Sequence, residues 1–294
     1  MTNNNTSILP FFDSQIYQQH RKSYAQGQVW PLIAKSQRLP PFQVPRYANL
    51  GELNLVTSFV VTHIDTGVQY DITTNIIAAG LNIQAYAPAG VAPYDLIVYP
   101  GLTDITDVTL PDGQYDAVMS DGTTTWYSER YCSFGYVDDL VKLTYWHTRP
   151  FPANGYHISY RNPFKNFVYL QSEVNRPKYE EEEVVVERRG YRFPIQMTSK
   201  KVFRIVGLLL PEFMCDALRL VWMHTNVTIE FNGVTYVTDS CRVIFDDFEK
   251  PGHLCPAVIE FVTDTVVTES GFVEASDDTG DYNQTDYNDD HLIA

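Results

Sequence analysis

The densest run of groups able to do acid–base chemistry is Glu180-Glu181-Glu182-Glu183, followed by three valines and then Glu187-Arg188-Arg189-Gly190. Paired carboxylates cleave glycosidic bonds when two of them stand at a set separation with different pKa values. Neighbours in sequence cannot all converge on one bond. The run therefore reads as a solvated, repulsive face ahead of a hairpin turn at residues 188–190. Its functional version is a charged rim, Glu180, Glu181, Glu182, Glu183, Arg188 and Arg189, that fixes register against a basic patch on a neighbour.

Thiol and metal chemistry have weaker prospects. Cys132, Cys215, Cys241 and Cys255 are scattered, with no CxxC spacing and no paired histidines, so buried reduced thiols are expected rather than a zinc site. A nucleophilic Cys215 needs a base within hydrogen-bond reach, and its place on the apolar face of an expected helix argues against one. The seven histidines stand apart, with no i, i+4 ligand pair. The run Asp277-Asp278-Thr279-Gly280-Asp281-Tyr282-Asn283 has the acids of a calcium loop, but its glycine is misplaced and no glutamate closes the ligand set. Phosphate-loop, dinucleotide, zinc-protease and serine-hydrolase signatures are missing. No catalytic residue, metal or cofactor is expected, and the chain does not read as an enzyme.

Aromatic side chains offer one more chemistry, stacking on sugar rings. Trp126, Tyr127, Tyr131, Tyr145 and Trp146 are the candidates, but Trp126 and Tyr127 are neighbours on a strand and must face opposite ways. At most one of those two can join such a platform.

These residues must be positioned by a chain of 294 residues with a formal charge of −15, 44% hydrophobic and 19% charged, a composition that folds. The longest apolar stretch, residues 205–210, is far short of the roughly 20 residues needed to cross a bilayer, so no membrane segment is expected. No export signal is visible at the N-terminus. Strong negative charge disfavours phosphate backbones, which are bound by Lys and Arg displacing counterions. Sequence-specific nucleic-acid binding is not expected.

The charge is uneven. Residues 1–47 hold five basic groups and one acid, whereas residues 269–294 hold eight acids and no Lys or Arg. Residues 1–47 alternate aromatic anchors with prolines, which predicts an extended N-terminal arm with one short helix near residues 14–24. Two readings stay open: a strap across its own domain, or an arm that docks Phe11, Phe12, Tyr17, Trp30 and Phe42 into a neighbouring subunit. The second is preferred, because an exposed apolar arm without a partner is an aggregation hazard.

Residues 48–135 alternate with period two at Phe59/Val61, Val68/Tyr70/Ile72 and Leu81/Ile83/Ala85, and Asp121-Gly122 supplies a tight turn between strands at residues 115–119 and 123–134. This reads as a β-sandwich-like domain. Residues 136–268 form a second β-rich domain with strands expected at 141–146, 167–170, 184–187, 202–209, 241–248 and 257–267. Asn232-Gly233 should close a hairpin there, and one helix is expected from Pro211, with Phe213, Met214, Ala217, Leu218 and Val221 on one face. Residues 269–294 read as an acidic tail. The fold class is thus mainly β, with two β-sandwich-like domains.

Four long motifs stand out: Asn175-Arg176-Pro177-Lys178-Tyr179-Glu180-Glu181-Glu182-Glu183, Arg188-Arg189-Gly190-Tyr191-Arg192-Phe193-Pro194, Ser199-Lys200-Lys201-Val202-Phe203 and the stretch Leu210-Pro211-Glu212-Phe213-Met214-Cys215-Asp216-Ala217-Leu218-Arg219-Leu220. Together they resemble a virion-protein family of gut Bacteroidales bacteriophages that includes the crAss-like phages. The likeness extends to Ile8-Leu9-Pro10-Phe11-Phe12, Thr125-Trp126-Tyr127-Ser128-Glu129, Gly233-Val234-Thr235-Tyr236 and residues 260–267. It covers most of residues 8–268 and departs from the family pattern in the acidic tail. The resemblance implies a non-enzymatic structural subunit of the virion, in the neck, tail or baseplate. Its partners would be copies of itself in a cyclic ring and other phage neck or tail proteins, with DNA passing through the lumen. A carbohydrate-binding adhesin or tail-fibre adaptor is the alternative.

Overall fold

A computed structural model describes residues 7–24, 30–34, 39–40, 42–46, 56–74, 84–86, 95–99, 110–136, 138–146, 165–188, 190–246 and 254–269. In chain order the elements are β1 (Phe11–Phe12), α1 (Gln15–Tyr24), β2 (Leu32–Ala34), β3 (Phe42–Arg46), β4 (Ser58–His63), β5 (Gln69–Asp71), β6 (Gln84–Tyr86), β7 (Asp95–Tyr99), β8 (Gly113–Ser120) and β9 (Thr125–Ser128). They continue as β10 (Tyr131–Phe134), β11 (Val141–Trp146), β12 (Asn166–Leu170), β13 (Lys178–Arg188), β14 (Tyr191–Leu210), α2 (Glu212–Leu218), β15 (Asn226–Phe231), β16 (Val234–Val237), β17 (Ser240–Phe245) and β18 (Cys255–Glu269). A 3-10 turn at Val221–Met223 follows α2. The chain is mainly β, of the β-sandwich-like class the sequence predicts. The acidic run 277–283 and the rest of the tail beyond Glu269 lie outside the described residues, as do Leu81, Ile83 and Arg189.

The chain divides into two compact units, residues 1–180 with 200–265, and residues 181–199 with 266–294. The first unit holds a large sheet in the order β1-β9-β8-β10-β2-β12-β11-β15-β16, with β4 and β5 added along the other edge of β8. Strands from both predicted blocks share this sheet. The arm strand β2 links them, pairing parallel with β10 and touching β12 at Tyr169↔Leu32.

Two hydrophobic cores form within this unit. In one, inward residues of β4, β8 and β9 (Phe59, Val61, Tyr115, Ala117, Met119, Trp126) meet Phe11 and Phe42. The rings of Phe11 and Phe42 lie 4.5 Å apart, and Phe42 lies 6.3 Å from Phe59, so β3 of the small sheet β3-β7-β6 packs on the large one. In the other, Val141, Leu143, Val227 and Ile229 of β11 and β15 face Ile205, Ile259 and Phe261 of β14 and β18, with α2 contributing Phe213, Met214, Ala217 and Leu218. Phe203 and Phe261 stack at 5.1 Å.

Local chemistry explains most of these elements. Asn232 and Gly233 take positive φ (49° and 74°), which closes the two-residue hairpin between β15 and β16 with Phe231 opposite Val234. Pro211 caps α2 from an extended conformation rather than occupying its first turn, and Glu212 stands at the positive end of the helix.

The strand predicted over residues 123–134 is broken in two. Three steps along β8, from Val118 to Tyr115, oppose four along the partner, from Tyr127 to Tyr131, so residues 129–130 form a β-bulge. The Ser128 hydroxyl accepts the Ala117 N–H (2.8 Å) inside it. The bulge also changes partners: β9 pairs outward with β1, and β10 with β2.

Candidate interaction surfaces

Among the described residues, the four cysteines and His63 are buried, while His224 is half-buried and His20 is exposed. All four cysteines are reduced and buried, as predicted. Burial pushes the Cys132 thiol up to about 11 and the Cys241 thiol up to about 12, far from the low values of nucleophilic thiols. Burial also raises Cys215, whose thiol adjoins that of Cys255. His224 holds the Leu220 carbonyl at 2.8 Å and packs edge-on to Tyr145; His63 sits between the Thr66 N–H and Tyr115. Among the described residues, no group of His, Cys, Asp and Glu could hold a metal ion, and no helix is long and apolar enough to cross a membrane.

The sugar-stacking platform does not assemble. Trp126, Tyr131 and Tyr145 are at most 2% exposed. Trp126 faces the core while its neighbour Tyr127 stays half-buried, as strand alternation demands. Trp146 is half-buried, with Lys165 Nζ 4.2 Å above its ring. Burial raises both the Tyr131 and Tyr145 phenols, and that of Tyr115 to about 12.

The arm residues correct the preferred reading of residues 1–47. Phe11, Phe12, Trp30 and Phe42 are buried against their own chain, and only Tyr17, at 41% exposure, keeps an accessible ring. Trp30 lies under the Arg130 guanidinium, which also pairs with Asp116. The physical reason is the sheet itself: β9 and β10 offer free edges, and the arm supplies β1 and β2 to cover them. The strap reading therefore holds for these four residues.

The predicted charged rim lies on β13. Glu181, Glu182 and Glu183 are exposed, Glu180 pairs with Lys178 at 3.0 Å, and the chain turns at Gly190 with φ of 80°. These strand residues alternate between two faces, so the carboxylates do not converge. Around them, within the second unit, none of the described side chains of residues 181–199 and 266–268 is buried. Val184, Val186, Met197, Val266 and Val267 are between 37% and 61% exposed. The sequence reading passed over these valines because three in a row assign neither face of a strand to a core.

Sequence reasoning also missed a cross-strand triad. Glu260 on β18 accepts from Arg204 Nε (2.8 Å) on one side and Arg242 Nε (3.0 Å) on the other. Desolvation works to raise its carboxyl, but the two guanidinium hydrogen bonds outweigh it and hold it below the usual carboxylate range. Only the pairing register brings these three residues together, so no sequence spacing announces them.

No protein-family model, curated protein or solved structure matches this chain.

Proposed function

We propose that this chain is a structural subunit of a bacteriophage virion, forming a cyclic ring in the neck or tail around the DNA channel and docking neighbouring tail proteins. It works by burying surface against copies and companions, without turnover of a substrate. The observation that carries the reading is the strand ribbon of the second unit. A ribbon whose described side chains are all unburied shows no core of its own among the described residues, and isolated hairpins are marginal in water. Its row of half-exposed valines beside a charged run has the anatomy of a protein contact, an apolar centre with a polar border.

Supporting this, the residues that carry the phage resemblance between Asn175 and Phe203 run along β13 and β14, the strands of that ribbon. A ring needs two different patches per protomer that meet through a rotation that closes. The net charge of −15 suits a channel wall, since like charge discourages DNA from sticking.

The test is electron microscopy of the purified full chain beside its Val184→Glu and Met197→Glu variants. Closed rings of the parent chain, lost in both variants while circular dichroism stays unchanged, are the expected result. A parent chain that stays monomeric at every concentration, or rings indifferent to both substitutions, overturns the proposal.

A further inference from the structure

Sheet edges attract foreign strands, and natural proteins blunt them with charge, proline, bulges or a covering helix. Several edges of this chain are blunted. At β1, α1 packs alongside: Tyr17 sits edge-on to Phe12 at 5.1 Å and the Gln18 amide donates to the Ser128 carbonyl. The β5 edge carries Asp71, β13 its glutamates, β17 Arg242, and β3 both Pro45 and Arg46. The β16 edge, Val234-Thr235-Tyr236-Val237, has none of these devices. Val234 is 50% and Val237 72% exposed, and among the described residues no strand lies beyond β16.

The hairpin turn fixes which backbone groups face outward. In a two-residue hairpin the flanking pair, Phe231 and Val234, exchange both hydrogen bonds, and the bonding then alternates. Val234 and Tyr236 therefore point inward to β15. The Thr238 N–H, bonded to the Val227 carbonyl at 3.2 Å, keeps the same phase. Thr235 and Val237 aim their N–H and C=O groups away from the sheet.

We infer that this edge pairs antiparallel with the same edge of a second copy, about a two-fold axis at Tyr236. That register sets Thr235 opposite Val237 of the second copy and Val237 opposite its Thr235, each pair exchanging two backbone hydrogen bonds. The outward-facing groups on the two sides match without any shift.

At the edge itself, charge does not oppose this occupant. Two chains that each carry −15 repel over most of their surfaces, whereas residues 232–238 hold no ionisable group other than the Tyr236 phenol. The nearest charges are already engaged: Glu230 pairs with Lys142 at 3.3 Å, and Asp239 accepts the Thr265 N–H at 2.8 Å. An isologous contact also closes on itself, so the edge is capped rather than extended into a fibre. The contact is separate from the ribbon and does not depend on the ring reading.

The experiment is sedimentation of the full chain over a range of concentration and salt, with hydrogen exchange of the β16 amides. A dimer that strengthens with salt is expected, because salt screens the repulsion while the contact itself is uncharged. Thr235 and Val237 amides should gain protection as concentration rises, whereas Val234 and Tyr236 are protected throughout. Val237→Lys should weaken the dimer at least about tenfold. Thr235→Pro, which removes an outward donor and no ladder bond, should do the same. A monomer under all conditions, concentration-independent exchange at Thr235 and Val237, or a dimer insensitive to both Val237→Lys and Thr235→Pro overturns the inference.

Discussion

The hairpins β8–β9 and β13–β14 both reverse near a glycine with positive φ, Gly122 at 86° and Gly190 at 80°. Beside the turn their strands differ in what they bury, although β14 enters a core farther along, from Val202 to Leu210. Along β8, Tyr115, Ala117 and Met119 alternate with half-exposed residues and enter the core, whereas no described side chain of β13 from Glu181 onward is buried. Turn chemistry decides where a chain reverses; period-two alternation decides whether the reversed strands own a core. A strand that groups its four acids and then its three valines, as β13 does, leaves those apolar residues outside any core among the described residues.

The steepest way to break this contrast is alkali. The core around β8 holds the Tyr115 and Tyr131 phenols, and the second core holds Tyr145; burial raises all three above the ordinary value of 10.0. Their folded-state pKa lies above the unfolded one, so their contribution is intact below pH ~10 and is lost as pH climbs toward the folded values, by about 1.4 kcal/mol per pH unit for each phenol. Urea midpoints measured above pH ~10 should fall steeply. Tyr131→Phe should flatten that decline, and a pH-independent midpoint contradicts the burial of these rings.

Phe11→Ala comes next. The ring is fully buried, 4.5 Å from Phe42 and 6.0 Å from Phe59, so its removal should cost about 3–5 kcal/mol of unfolding free energy. An arm that latched a neighbour would instead leave the stability of the monomer untouched. Chemical denaturation at low concentration distinguishes the two.

How much of this was legible depends on the range of the cause. The strand over residues 141–146, the Asn232-Gly233 hairpin, the helix after Pro211 and the buried thiols follow from local pattern, and the structure repeats them nearly residue for residue. The bulge at residues 129–130 does not, because its cause is the Ser128 hydroxyl reaching Ala117 on another strand. The arm was misassigned for a similar reason: its aromatics are as apolar as an interface requires, and only the free edges of β9 and β10 decide that they stay home. Charge runs were legible as exposed, but the apolar ribbon beside them was not, since exposure of a valine is a property of what fails to cover it.

Glu260→Gln sharpens the comparison between a carboxylate engaged across strands and the exposed glutamates of β13. The Glu260 carboxyl is held low by Arg204 and Arg242, so its contribution is present above the ordinary value of 4.5 and is lost as pH falls through the lower folded value. The variant should lose about 1 kcal/mol at neutral pH, a partly exposed charge-assisted contact being worth little more. The difference from the parent chain should shrink below pH ~4. A difference that grows on acidification is the wrong sign and removes the triad from the account.

The smallest expected effect is the most diagnostic. Val184, 48% exposed on a stretch of β13 in which no described side chain is buried, should tolerate replacement by alanine within about 0.5 kcal/mol in the isolated chain, because about half of its surface is already open to water. The same change in an assembled ring should weaken association, since those methyl groups would then be covered. Unfolding measured at low concentration and association measured at high concentration therefore separate for Val184 and coincide for Phe11. A loss of 2 kcal/mol or more for Val184→Ala in the dilute monomer means that the ribbon hides a core of its own, and the difference between the two hairpins collapses.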